Sequence, residues 1–101
     1  MIRLSLAEVA AITNGRVLGD ETVEVFAGVE TDSRRIAPGY LFVAKPGEVT
    51  DGHLFIASAA AAGATAALVQ REVESDLPLV LVDDVVVALG QLATEVLARL
   101  R

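Results

Sequence analysis

The chain has 101 residues, enough for one small domain with a single modest core, and it is 53% hydrophobic with a formal net charge of -6. Only 8 Lys and Arg stand against 14 Asp and Glu, scattered apart from Arg34-Arg35, so there is no basic stripe for a nucleic-acid backbone. The absence of cysteine removes disulfides, thiolate nucleophiles and Cys-ligated zinc together and fits an intracellular compartment.

Targeting segments are not evident either. The opening "MIRLSLAEVAAITNG" carries Glu8 where a signal peptide needs an unbroken apolar run. No stretch reaches the roughly 18 uninterrupted apolar residues of a membrane-spanning helix. The expectation is a soluble cytoplasmic domain with neither nucleic acid nor membrane insertion among its partnerships.

In chain order, Ser5 precedes "LAEVAAIT" with Glu8 three positions on, the capping-box pattern, and Leu6, Val9, Ala10 and Ile12 form an apolar face that Asn14-Gly15 ends. "RVLG" and "VEVFAGVE", separated by "DET", read as two strands around a tight connection. "YLFVA" is a further strand between Pro38-Gly39 and Pro46-Gly47. "HLFIASAAAAGA" is an alanine-dense helix with Gly63 just past its last turn. "AALV" and "LPLVLV" are continuous apolar runs of strand length, as in strands buried on both faces. Asp83-Asp84 then open a helix whose Val86, Leu89, Leu92, Ala93, Val96, Leu97 and Leu100 form a stripe, with Arg99 and Arg101 at its C-terminal end. The order α, β, β, β, α, β, β, α predicts an α/β fold: a mixed β-sheet packed with helices, parallel around 66–82.

Familiar catalytic motifs are missing. There is no G-x-x-x-x-G-K-[ST] phosphate loop and no G-x-G-x-x-G fingerprint. His53 is the only histidine, so a zinc site would have carboxylates alone for company, and a hydrogen-bonding role at a helix start is the simpler reading. Asp83-Asp84 read as cap and dipole partners rather than a catalytic carboxylate pair. Ser33, His53 and Asp32 have the residue types of a hydrolytic triad but lack the G-x-S-x-G turn.

One segment still asks for explanation: "GVETDSRRIAPGYLFVAKPGEVTDGHLF", in which strand-like runs end in polar clusters. At a strand end, Thr31, Ser33 and backbone amides can donate to anionic oxygens, with Arg34 adding a charge-assisted fork. The alternative is turn chemistry, with Asp32 and Ser33 closing an Asx or Ser turn and Arg34 paired to an acid. Residue types alone leave both open.

The longer segment "GVETDSRRIAPGYLFVAKPGEVTDGHLFIASAAAAGATAALV" resembles the N-terminal domain of the cytoplasmic Mur ligases. Their pattern runs T-D-S-R, P-G-D-L-F-V-A, G-x-x-x-D-G-H-x-F, then A-x-x-x-G-A-x-A-x-[VL]. The two ends of the chain, "MIRLSLAEVAAITNGRV" and "VDDVVVALGQLATEVLARLR", look more like the MurF type than the MurE type. Three positions depart from the pattern: Tyr40 replaces an Asp, Val49 stands where Arg is common, and Leu54 replaces a frequent Asp.

The resemblance implies one UDP-binding substrate domain over 1–101, with the ATPase and C-terminal domains outside this chain. It implies that Ser33 binds the diphosphate, and that Thr31 with Glu48, Val49 and Thr50 lines the uracil and ribose. Asp32, Arg34, Gly47, Asp51, Gly52 and His53 match the motif as loop-shaping residues. The implied reaction is the ATP-dependent addition of D-alanyl-D-alanine to UDP-N-acetylmuramoyl-tripeptide in peptidoglycan synthesis. ATP and Mg²⁺ then serve the full-length enzyme, no cofactor or metal is expected within this stretch, and the stretch alone is expected to be inactive. A MurE-type ligase adding the third amino acid, or a non-catalytic interaction module of the cell-wall machinery, are the alternatives.

Overall fold

The computed structural model describes residues 3–46 and 52–100. Ser5 ends the short strand β1 (Leu4–Ser5) and caps helix α1 (Leu6–Thr13). Its Oγ accepts from the Glu8 amide at 3.2 Å while the Glu8 carboxylate accepts from the Ser5 amide at 3.1 Å, the reciprocal box that the spacing predicts. Asn14 closes the helix at φ 57°, a left-handed conformation that Asn tolerates.

The remaining strands are β2 (Arg16–Leu18), β3 (Glu24–Val25), β4 (Gly28–Glu30), β5 (Tyr40–Val43), β6 (Ala66–Val69) and β7 (Leu79–Leu81). Five of them form one sheet in the order β2-β7-β6-β5-β4, and β1 pairs with β3 in a separate two-stranded ribbon. β4, β5, β6 and β7 run parallel, while β2 joins β7 antiparallel. The mixed sheet with its parallel part over 66–82 is therefore as expected.

The tight connection between "RVLG" and "VEVFAGVE" is not a hairpin. The first two amides of α1 lack intrahelical partners, and they claim the carbonyls of the intervening chain: Leu6 donates to Val23 at 2.9 Å and Ala7 to Glu21 at 3.1 Å. That docking steers β3 onto β1 and leaves β2 to pair with β7. "VEVFAGVE" is itself split, because the amides of Phe26 and Ala27 both donate to the Gly39 carbonyl. Gly39 sits at φ +88°, and a Cβ there would come within 2.6 Å of the Phe26 ring, so the crossing requires glycine.

Alternation along the strands produces two cores. Leu41, Val43, Ala66, Leu68 and Val80 face α1 and helix α3 (Val85–Arg99). Phe42, Ala44, Ala67, Val69 and Leu79 face the other way, against helix α2 (Ile56–Ala61) with Ile36, Ile56 and Ala59. The result is a three-layer α/β/α arrangement. The alanine-dense helix is shorter than expected, since Gly52–Phe55 forms a 3-10 turn before it.

The stripe on α3 is also displaced from the expected one. Asp84 caps the helix, accepting from the Val86 and Val87 amides at 2.9 and 3.2 Å, which fixes its phase so that Val85, Ala88 and Leu92 are buried. Val86, Leu97 and Leu100 are 58%, 59% and 66% exposed, so these three are not core residues. Gly90 lies mid-helix and, apart from the helix's own local backbone, nothing lies within 4 Å of where a Cβ would stand. Gly90→Ala is expected to raise stability by about 0.5 to 1 kcal/mol, read as an increased urea midpoint at unchanged slope. A decrease would show that the backbone at Gly90 meets a neighbour there.

Candidate functional site

Because β4 to β7 are parallel, the segments that follow them all leave the sheet at one edge, the carboxyl edge where open α/β sheets gather ligands. Two of these segments carry the polar clusters. The segment after β4 contains Thr31 to Arg35, and the segment after β5 contains Gly52 and His53. Their 3-10 turns, Ser33–Arg35 and Gly52–Phe55, both pack against α2. Ile36 and Ile56, the residues that follow the two turns, are anchored in the same core cluster.

Asp32 organises the first turn. Its Oδ1 accepts from the Arg34 amide at 2.9 Å, and its two carboxylate oxygens accept from the Arg34 guanidinium at 3.0 and 2.9 Å. Hydrogen bonds from the Arg34 guanidinium, then from its amide, hold the Asp32 carboxyl down at about 2, well below the ordinary range, and the same pairing raises Arg34. Both groups therefore stay charged at neutral pH. This is the turn-and-pair geometry rather than the fork towards a ligand: the guanidinium face that would grip an oxyanion is already on Asp32.

The amides are similarly committed. Glu30, the last residue of β4, accepts from the Thr31 and Asp32 amides through one oxygen at 3.2 and 3.1 Å. The Arg35 amide donates to the Asp32 carbonyl at 3.0 Å. Among the described residues, the Ser33 amide and the hydroxyls of Thr31 and Ser33 have no hydrogen-bond partner. Thr31 is exposed and Ser33 half-buried, so these donors stand open at the carboxyl edge.

His53 is buried, at 7% exposure, and its Nε2 accepts from the Gln70 amide just beyond β6 at 3.1 Å. An accepting Nε2 puts the ring proton on Nδ1. Gln70 continues the chain of contacts, since its Oε1 accepts from the Val85 amide at 2.9 Å at the start of α3. The hydrogen-bonding reading of His53 is the one observed. Among the described residues no group of three His, Asp or Glu side chains could hold a metal ion, and no helix is long and apolar enough to cross a membrane.

Gly47, Glu48, Val49, Thr50 and Asp51 lie outside the described residues. Sequence reasoning missed Glu30 and Gln70. Neither has a distinctive spacing; the one available signal for Glu30 is an acid at a strand end directly before a polar turn, and Gln70 stands out only as a polar residue ending an apolar run.

The Mur ligase family, catalytic domain, matches residues 25–96. The chain is 44% identical over 94 residues to the UDP-N-acetylmuramoyl-tripeptide--D-alanyl-D-alanine ligase of Escherichia coli (strain K12), covering 92% of this chain and 20% of that protein. It is 38% identical over 73 residues to the UDP-N-acetylmuramoyl-L-alanyl-D-glutamate--2,6-diaminopimelate ligase of Listeria monocytogenes, covering 72% of this chain and 15% of that one. Among solved structures, MurF from Acinetobacter baumannii superposes with a TM-score of 0.79 at 32% identity, over 89% of this chain and 20% of the other. MurF ligase from Thermotoga maritima, solved in complex with ADP, gives 0.63 at 38% identity, over 70% and 17%. The chain thus spans 15% to 20% of the length of these relatives. With a family match over most of its length, and with relatives that agree in sequence and in fold, the chain belongs to the Mur ligase family.

Proposed function

We propose that this chain is the domain of a MurF-type ligase that holds the uridine diphosphate end of UDP-N-acetylmuramoyl-tripeptide, presenting the peptide for addition of D-alanyl-D-alanine by the rest of the enzyme. The observation that carries the reading is the set of open donors at the carboxyl edge: the Ser33 amide and hydroxyl and the Thr31 hydroxyl, on a turn whose other amides are internally satisfied. A diphosphate needs such fixed donors, and Ser33 can offer two from one residue. In this reading Thr31, together with Glu48, Val49 and Thr50, lines the uracil and ribose. Asp32, Arg34, Gly47, Asp51, Gly52 and His53 shape the two loops.

ATP and Mg²⁺ belong to the remaining domains of the full-length ligase, since residues 1–101 hold no phosphate loop. This chain's part is to bind and orient, in the cytoplasm where the nucleotide-linked substrate is made.

Titration of UDP into the isotope-labelled chain tests this. Amides of residues 31–34 and 47–52 should shift together, with a dissociation constant around the millimolar range, because one part of a multi-domain site must offset several kcal/mol of lost rigid-body freedom. Ser33→Ala should weaken binding by about 1 to 2 kcal/mol. Shifts confined to another face of the domain, or none at high UDP, would return the polar residues to turn chemistry alone.

A further inference from the structure

A pair of successive backbone N–H groups at the end of a parallel strand is a ready anion site. In this chain that pair, Thr31 and Asp32, already faces a carboxylate: Oε1 of Glu30, at 3.2 and 3.1 Å. Asp32, held in place at its amide, then turns its own carboxylate onto the Arg34 amide and guanidinium. The two acids act in series, and the donors left open are the amide and hydroxyl of Ser33, the first residue of the 3-10 turn, together with the Thr31 hydroxyl.

We infer that Glu30 is a positioning residue of the nucleotide site: its carboxylate occupies the Thr31 and Asp32 amides so that the turn is built before ligand arrives and Ser33 is aimed at the diphosphate. The ligand half of this inference rests on the uridine diphosphate reading above; the ordering of the turn does not. Glu30 itself makes no contact with ligand. Its negative charge is turned into the chain, towards the two amides, and the neighbouring negative charge on Asp32 is balanced by Arg34. Without Glu30 the two amides would be left to solvent or would compete with Ser33 for the phosphate oxygens, in either case loosening the geometry that Ser33 depends on.

The chain with Glu30→Ala and with Glu30→Gln provides the test, because glutamine keeps the accepting oxygen and loses only the charge. Glu30→Ala should raise the UDP dissociation constant about five- to tenfold, with a thermal midpoint lowered by less than about 5 °C. Glu30→Gln should bring the constant back to within about twofold. In the Ser33→Ala background the Glu30→Ala effect should largely vanish, as coupled residues require. Hydrogen exchange at Thr31 and Asp32, measured without ligand, should accelerate in Glu30→Ala and stay slow in Glu30→Gln.

Equal or tighter UDP binding by Glu30→Ala would overturn the inference, the tighter result meaning that the carboxylate competes with the ligand. Unchanged exchange at both amides would overturn it as well. If the unaltered chain fails to bind UDP, the nucleotide reading falls, and the exchange result alone then decides whether Glu30 builds the turn. Should Glu30→Ala fail to fold, Glu30→Gln carries the test: binding and exchange like the unaltered chain support the role, and loss of both removes it.

Discussion

Truncating Phe42 to alanine is expected to lower stability by about 3 to 5 kcal/mol, a large share of the roughly 5 to 15 kcal/mol that holds a domain of this size folded. Phe42 sits mid-β5 at 1% exposure and is the largest side chain in the core beneath α2. It shares that core with Ile36 and Ile56, the residues that anchor the ends of the two polar turns. Truncation leaves a cavity under both at once, and the surrounding strands, hydrogen-bonded on both sides of β5, cannot collapse to fill it. Urea unfolding gives the stability, and Phe42→Leu, which retains most of the volume, should lose less than half as much. UDP binding corrected for the folded fraction should weaken too, because the turns lose their common footing. A loss under about 1 kcal/mol would show that the cluster relaxes freely and that the turns are held elsewhere.

The fold was legible where the signal was local or the burial two-sided. The Ser5 box, the Asn14 stop and the Asp84 cap each depend on residues within four positions of one another, and each is present. "AALV" and "LPLVLV" read as buried strands because nothing but apolar side chains suits a strand covered on both faces, and β6 and β7 lie within them. The failure came at residues 19–27, where the outcome is set at long range. Gly19 and the Asp20 to Thr22 hydrogen bonds do make a turn, but the partner of the following strand is chosen by the first amides of α1, some fifteen residues upstream in the chain. On α3 the apolar pattern is broad enough to allow several phases, and the cap selects the one that buries Val85 and Ala88.

At the candidate site the sequence showed residue types and not pairings. Thr31, Ser33 and His53 were singled out from a pattern of spaced motifs, and the strand order brings their loops to one edge. What spacing cannot supply is which donor meets which acceptor. By residue type Arg34 suited a ligand or a pairing with one of the acidic residues, and the bidentate geometry with Asp32 chooses the acid. Glu30 gave no motif at all, yet it satisfies two amides and thereby narrows the open donors to Ser33 and Thr31.

Replacing His53 by alanine should cost about 2 to 4 kcal/mol of stability while leaving the affinity for UDP, per folded molecule, within about threefold. The ring is buried and accepts the Gln70 amide through Nε2, so removal strands a half-buried donor, worth about 1 to 3 kcal/mol, and opens a gap beside the 3-10 turn. The damage should travel along the chain of contacts: Gln70 holds the Val85 amide through its side chain, so an unpinned Gln70 also loosens the first turn of α3. Urea unfolding measures the total, and hydrogen exchange should accelerate at Gln70 and Val85 together. His53→Gln, whose Oε1 can take the place of Nε2, should recover about half of the loss. If stability falls by less than about 1 kcal/mol and the Gln70 amide keeps its protection, the turn is held by its packing on α2 and not by the histidine. If affinity falls in step with a group that contacts ligand, by tenfold or more per folded molecule, His53 joins Ser33 among the proposed binding residues and its role as a strut is wrong.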